Sequence, residues 1–511
     1  MFVVGSITRP WSQGPMHDCR SAADVSNVPD GAFACRWGYI AQRDEDCIDP
    51  TELETWRHLG DPLADGVVEA LDLKPRCDGL ARIREHIDSL EPDQRDRRVV
   101  DFWTAVSSLP PDGVTALTAG RKPEPADFCP DAAIQRATRQ PEPSLAEGQA
   151  VFTRYSAQIF TSLLHFSLAA GLTSPRLLPT LHETNYLTGA HRDVTFRRLL
   201  ETSQFFFDAM SDMQPLTGRG WMSAVRVRLL HAQVRVRIAK GKGRLNTYDF
   251  ARDGVPINQE DMFATLGSFS IAPLWSLRRM GFKLTEREQL AFIAVWRHIG
   301  YYIGVDEDRL RRYYGRSVST ADKSFASCAF HLFDTDVPPA DPYNTTTYRV
   351  LSSVAGRPPS FTPIDVHIYL TRVLVGEGLA DRLALPDVPL RVKLRVHAEL
   401  FAGRALHIFG RYYRRGFEIE KQLLLKNIIE AIAAWQLGER RTRFVAKAEA
   451  DHGRPLDEVG DGEPSIVKLG VDAGRQIRRR WYALMAEAVL VLVGASATLV
   501  GSSYLTYRLL R

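Results

Sequence analysis

Cysteine is scarce. The 511 residues hold six, at 19, 35, 47, 77, 129 and 328, with spacings that match no zinc motif. They read as reduced thiols, and neither a disulfide scaffold nor a structural zinc site is expected. Net charge is scarce too: 65 Lys+Arg stand against 61 Asp+Glu, a formal +4, and the arginines are scattered rather than gathered in one block. No nucleic-acid partner is therefore expected. The common catalytic signatures are missing, with no phosphate loop G-x-x-x-x-G-K-[ST], no H-E-x-x-H, no G-x-S-x-G and no CxxC pair. Nucleotide, zinc-protease and hydrolase chemistry lose their usual support. The start, MFVVGSITRPWSQGPMHDC, lacks the basic n-region and long apolar stretch of a secretory signal, so export by that route is not expected.

What is present is a globular composition, 45% hydrophobic and 25% charged, on a chain long enough to bury a ligand. Helix starts recur as a short polar side chain followed three residues later by an acid that can return the hydrogen bond: Thr51–Glu54, Ser144–Glu147, Thr285–Glu288 and Thr362–Asp365. The second opens a helix whose apolar face carries Val151, Tyr155, Leu163 and Phe166, with Gly171 as a left-handed stop. Thr362-Pro363 opens another with proline at its first position. Period-2 alternation is confined to short pieces, 225–228 and 234–238, that also satisfy a helical pattern. The expected fold is all-α, with a C-terminal single transmembrane helix. Pro- and polar-rich stretches at 121–131 and 139–144 divide a partly helical N-terminal extension, 1–145, from a helical domain, 146–440. An acidic Gly/Pro-bearing segment makes 441–480 a tether.

Residues 481–507, WYALMAEAVLVLVGASATLVGSSYLTY, read as a membrane tail anchor. Ala488–Tyr504 is free of charge, and Trp481, Tyr482, Tyr504 and Tyr507 stand where interfacial aromatics belong. Glu487 interrupts the run, which leaves a buried or interface-lying helix as the alternative. Arg478, Arg479 and Arg480 crowd the upstream flank, so the positive-inside rule keeps the large N-terminal portion in the cytoplasm, with the endoplasmic reticulum as the expected membrane.

Two segments carry candidate chemistry: TFRRLLETSQFFFDAM at 195–210 and SAVRVRLLHAQVRVRI at 223–238. In the second, Val227, Leu230, His231, Val234 and Ile238 recur at steps of three and four, so His231 points from an apolar stripe. A neutral imidazole there is able to ligate a haem iron, with Arg226, Arg228, Arg235 and Arg237 near enough to meet the propionates. An ordinary hydrogen-bonded core histidine satisfies the same pattern. In the first segment Arg198 and Thr202 share one helical face with Phe205, placing a cation and a hydroxyl together as possible donors to oxygen. The bland reading pairs the arginine with an acid and the hydroxyl with its own helix.

RRLLETSQFF, then RVRLLHAQVR about thirty residues later, then GVPINQEDMFATLGSFS, WRHIGYYIGVDED and TRVLVGEGLADRLALP resemble, in that order over about 150 to 386, the MpaB-type oxygenase family. That family includes the latex-clearing rubber oxygenases and the fungal oxygenase that shortens a prenyl chain in mycophenolic acid biosynthesis. The resemblance implies an all-helical fold around haem b held by one histidine, with O2 as co-substrate. It places His231 as the iron ligand and Arg198 and Thr202, as catalytic residues, in the haem pocket, Arg198 also contacting the cofactor. Rubber-cleaving members carry lysine immediately before the threonine; here Glu201 occupies that place. They also use a pocket carboxylate, for which Glu183 is a candidate. The expected function is a membrane-anchored haem oxygenase that oxidises or cleaves a C=C bond of an apolar, prenyl-like secondary-metabolite substrate. A peroxidase-like oxidation without cleavage, and a cofactor-free membrane-tethered helical interaction protein, are the alternatives. His165, His298, His331, His367, His397 and His407 are further candidates for a second axial ligand.

Overall fold

The computed structural model describes residues 2–5, 14–111, 113–114, 143–171, 174–184, 192–333, 338–339, 341–357, 361–412, 415–437, 440–445, 462–464 and, in part, 479–508. The linker at 121–131, the sixth cysteine and most of the expected tether lie outside these residues. The five described cysteines are free thiols.

The chain begins with strands that the sequence reading did not anticipate. Strands β1 (Phe2–Val3), β2 (Met16–Asp18), β3 (Phe33–Arg36) and β4 (Tyr39–Gln42) form one small sheet in the order β1-β4-β3-β2. At its centre β3 and β4 make an antiparallel hairpin with Arg36 opposite Tyr39. The turn is Trp37-Gly38, both at positive φ (50° and 80°), the geometry whose twist matches that of the flanking strands. Gly38 supplies such a φ freely, and the Trp37 ring is held from outside by the Arg36 guanidinium, 4.2 Å from its centre. Arg36 also donates to the carbonyls of Phe330 (2.5 Å) and Phe333 (2.6 Å), satisfying orphan acceptors at a helix end deep in the body.

Short helices follow: α1 (Ala22–Ser26), α2 (Pro50–Arg57), α3 (Pro62–Ala70), α4 (Gly79–Ser89) and α5 (Arg97–Ser107). Asp49, not Thr51, caps α2, because Pro50 with its fixed φ takes the first helical position. The larger helices are α6 (Leu145–Ser162), α7 (Leu178–Thr184), α8 (Arg192–Ala209), α9 (Arg219–Ala239), α10 (Gln259–Arg279), α11 (Glu286–Ile303), α12 (Val318–Leu332), α13 (Thr346–Val354), α14 (Ile364–Val375), α15 (Leu390–Tyr412) and α16 (Arg415–Gln436). The reciprocal caps expected at Ser144–Glu147 and Thr285–Glu288 are formed. At α14 proline is the cap residue itself, one position earlier than expected, and makes no side-chain cap bond. Past Ser162 the α6 helix continues as a π-helical turn, Leu163–Leu168, and Gly171 is not at positive φ; the helix ends by loosening rather than by a left-handed stop.

One hydrophobic core runs from Val4 to Val396 and joins the first hundred residues to the helical body. The connection is specific. Trp221, Tyr301 and Tyr302 donate to the carbonyls of Val106, Ala105 and Ser108 at 2.6, 3.1 and 2.8 Å, taking up free acceptors at the end of α5. At the α6–α11 crossing a Cβ on Gly148 would lie 2.3 Å from the Ala291 carbonyl, so glycine permits the close approach. The fold is thus predominantly helical, with the small sheet packed onto it. Among the described residues no helix is long and apolar enough to cross a membrane, and the expected span at 481–507 is described only in part.

Candidate functional site

Helices α8 and α9 form an antiparallel pair. At their closed end Ser223 donates to Asp208 Oδ2 at 2.8 Å, and a Cβ on Gly220 would stand 2.4 Å from the Asp208 carbonyl, so only glycine allows the return at that distance. This contact sets the register. His231 lies eight residues beyond Ser223 and Leu200 eight before Asp208, so at about 1.5 Å per residue the Arg198–Thr202 turn stands level with His231. The fold therefore brings the three candidates to one height on neighbouring helices.

The His231 ring is half-buried, but its Nδ1 is fully enclosed and has no hydrogen-bond partner among the described residues. Desolvation, reinforced by the nearby Arg235 charge and only partly opposed by Asp61, lowers its pKa to about 4. The imidazole is neutral at pH 7, the form that ligates iron. Its expected stripe is less buried than the pattern implied: Val227, Leu230 and Val234 are half-buried, while Trp221, Ala224, Val225, Leu229 and Ala232 form the deepest face. The cause is that α9 is enclosed from several sides, by α3, α4, α8 and α11, so its core face is not a single stripe.

The arginines on α9 are not available to propionates. Arg228 forks onto Asp61 (Nε–Oδ2 2.6 Å, Nη2–Oδ1 3.0 Å), Arg235 reaches Asp65 at 2.8 Å, and Arg226 reaches Asp78 at 2.7 Å. Arg237 donates to the Lys242 carbonyl at 2.6 Å. The first three fasten α9 to the N-terminal helices; carboxylates from a distant part of the chain, invisible to local pattern reading, claim those cations first. On α8, Arg198 pairs with Glu201 at 2.8 Å, and the Thr202 hydroxyl donates back to the Arg198 carbonyl at 3.0 Å. The acid standing where rubber-cleaving relatives carry lysine thus shares the charge of Arg198.

Glu183 is not a pocket base here. Its carboxylate accepts from the backbone N–H groups of Leu245, Asn246 and Thr247 (2.8, 3.0 and 2.8 Å) and from the Thr247 hydroxyl. Although desolvation opposes it, those donors hold its pKa below the usual range and make it the organiser of the 245–247 loop.

Two buried arrangements escaped sequence reading. His165, on the π-helical turn, donates from Nδ1 to the Thr161 carbonyl at 2.8 Å, because a carbonyl can only accept. Its Nε2 must then accept from His367 Nδ1 at 3.0 Å, which leaves His367 Nε2 a bare lone pair, buried and without a partner among the described residues. Burial lowers the pKa of His165 to about 3 and of His367 to about 4, so both are neutral. The partners are 202 residues apart, so no local signal links them. Separately, His331 Nδ1 meets the fully buried Glu260 Oε1 at 2.6 Å. Beside it Asp261 is pushed up to about 7, by burial first and then by the Glu260 charge. Among the described residues no three His, Cys, Asp or Glu are grouped to hold a metal ion.

An apolar cavity of about 100 Å³ lies between the π-helical turn, α10, α12 and the β-hairpin, walled by Phe166, Phe269, Trp275, Phe325, Phe330 and Phe333 among others. Engineered apolar cavities of roughly 150 Å³ take benzene. This one suits a short hydrocarbon segment, not a macrocycle, and Arg198, Thr202 and His231 do not line it.

Residues 153–407 match the family described as ER-bound oxygenase mpaB/B'/Rubber oxygenase, catalytic domain. This stretch belongs to that family. Its bounds contain Arg198, Thr202 and His231, and the domain is an oxygenase catalytic domain. No curated protein matches. A solved structure of latex clearing protein LCP in the closed state is similar over 70% of this chain and 84% of its own, at 17% identity and a TM-score of 0.44.

Proposed function

We propose that this oxygenase is haem-dependent and uses O2 to oxidise or cleave a C=C bond of an apolar, prenyl-like substrate. The observation that carries the reading is the His231 nitrogen: buried, neutral and without a hydrogen-bond partner among the described residues, inside the family-matched segment. A polar atom left unsatisfied in a protein interior calls for a missing partner, and an iron ion is one an imidazole accepts. His231 would hold the haem, and the half-buried Val227, Leu230 and Val234 beside it would supply an apolar wall. Haem, when bound, supplies the activation of O2. Arg198 and Thr202, level with His231, are proposed as polar groups of the same pocket, their hydrogen bonding tempered by Glu201. The aromatic cavity is proposed to receive part of the substrate chain and exclude water from it.

The apolar run Ala488–Tyr504 behind three arginines supports a membrane anchor that concentrates such a substrate, with the catalytic portion on the cytoplasmic side of the endoplasmic reticulum. The test is spectroscopic and then chemical. Protein expressed with sufficient haem should show a Soret band that His231→Ala removes while the helical circular dichroism is kept. With a prenylated substrate under 18O2, two labelled fragments are expected. A single intact oxidised product would favour the peroxidase-like reading. A colourless wild-type protein would overturn the haem assignment and favour an interaction protein.

A further inference from the structure

Among the described residues, helix α15 presents an apolar stripe with no partner. Leu390, Leu394, Phe401, Ile408 and Tyr412 are 48–78% exposed, whereas Val396, His407, Phe409 and Gly410 turn inward. Soluble proteins scatter exposed apolar side chains singly; these are aligned. At 3.6 residues per turn the five fall within about 40° of one another along a helix of about 33 Å. The stripe does not stop at the helix end. Phe409 packs on Phe417 of α16 with ring centres 4.9 Å apart, and beyond that contact Ile419 and Leu423 are again about half exposed. Val491, from the apolar C-terminal segment, packs against the same cluster, while its neighbours Val489, Leu490 and Val493 are exposed.

Charge selects the occupant. Between Leu390 and Tyr412 the chain has five basic residues, Arg391, Lys393, Arg395, Arg404 and Arg411, against one acid, Glu399. Lys393, Arg404 and Arg411 border one side of the stripe and Arg391 and Arg395 the other; Lys393 shares its charge with Asp387 and Arg395 with Glu399, which leaves Arg391, Arg404 and Arg411 as the cations that carry the excess. A second copy of this chain docked on the stripe would bring two such basic borders together, which costs like-charge repulsion. An anionic bilayer surface instead matches both features: side chains entering the boundary between headgroups and acyl chains, and cations meeting lipid phosphates and carboxylates.

We propose that α15, extended by the exposed residues of α16, is a membrane-interface helix that lays this face of the oxygenase onto anionic phospholipid. The assignment deepens the proposed delivery of an apolar substrate from a membrane and rests on it for its purpose, but the binding itself requires neither haem nor turnover.

The test uses the full chain and co-flotation with vesicles of phosphatidylcholine alone or mixed with phosphatidylserine. To silence the C-terminal segment, Leu490→Arg/Val493→Arg is the reference variant; to silence the stripe, Leu394→Glu/Phe401→Glu/Ile408→Glu is added to it. All five positions are exposed, so an unchanged melting temperature is expected and is measured alongside. The reference variant should still bind the serine-containing vesicles, more weakly as salt rises, and the added stripe substitutions should weaken partition at least tenfold. Equal binding with and without the stripe substitutions overturns the proposal, as does loss of all binding in the reference variant alone. A concentration-dependent dimer, abolished by the stripe substitutions with no effect on vesicles, overturns it in favour of self-association. A Soret band recorded on the same samples reports separately on the haem reading.

Discussion

Asp61→Asn isolates one charge at the base of the site. Asp61 is 3% exposed, accepts both arms of Arg228, lies 4.0 Å from Arg235, and caps α3 through the Ala64 N–H. Burial alone would raise its pKa, but Arg228 and Arg235 outweigh burial and hold it below the usual carboxylate range. Asparagine keeps the volume and the cap, so the change is essentially loss of the negative charge beneath a buried guanidinium. Breaking such a pair from one side costs about 3–5 kcal/mol. With an unfolding entropy of about 2.1 cal/mol/K per residue, a 511-residue chain has about 1.1 kcal/mol/K at its midpoint, so the melting temperature should fall by about 3–5 °C by calorimetry. Asp61→Asn/Arg228→Met removes the stranded cation and should recover most of that fall. Because Asp61 opposes the shift that keeps His231 neutral, its loss leaves the imidazole neutral still, and haem loading should persist in the single variant. A fall below 1 °C, or a double variant no more stable than the single one, would refute the claim that this pair fastens α9 to the N-terminal helices. The carboxylate's folded pKa is depressed, so its contribution is present above the unfolded value of about 3.9 and is lost as pH falls through the folded one.

Four histidines shielded from water, His165, His298 and His367 buried and His231 half-buried, have pKa values lowered to about 3, 3, 4 and 4, chiefly by desolvation. Their protons bind more tightly in the unfolded chain, so the melting temperature should fall steadily between about pH 6.5 and 4; a flat profile there would contradict their burial. Gly148→Ala should destabilise the α6–α11 crossing by several kcal/mol, since the new methyl meets both Val295 and the Ala291 carbonyl; an unchanged melting temperature would show that the helices separate freely. Ala264→Leu places three carbons into the aromatic cavity and should raise KM for a prenylated substrate severalfold with a stability change within about 1–3 kcal/mol, whereas an unaltered KM would remove the cavity from the substrate path. His367→Phe removes the nitrogen that has no partner among the described residues and should leave the Soret band intact if His231 is the iron ligand; loss of the band would transfer that role to His367.

The parts of this molecule legible in its sequence are those whose causes are local. Ser144 and Thr285 cap their helices because the acid that completes each bond is three residues away, within the same window that signals it. The α8–α9 pair was legible for the same reason, and its register follows from one short return. What stayed hidden depends on partners far along the chain. The sheet was missed because its strands are only two to four residues long, too short for periodicity to register, and its one sequence signal, Trp37-Gly38, is weaker than Asn-Gly. The arginines of α9 look like an anion cradle until Asp61, Asp65 and Asp78 arrive from more than a hundred residues upstream. The same asymmetry bears on the proposed role of His231. Arg198, Arg226, Arg228 and Arg235 each have a carboxylate partner, Arg237 has a carbonyl, and the Thr202 and Ser223 hydroxyls each have an acceptor, so much of the polar demand around α8 and α9 is met by the chain itself. The buried Nδ1 of His231 has no hydrogen-bond partner among the described residues, a state it shares with Arg235 Nη2 on the same helix and with ring nitrogens of His17 and His367, so the bare nitrogen supports the proposed haem ligand only together with its place inside the family-matched segment.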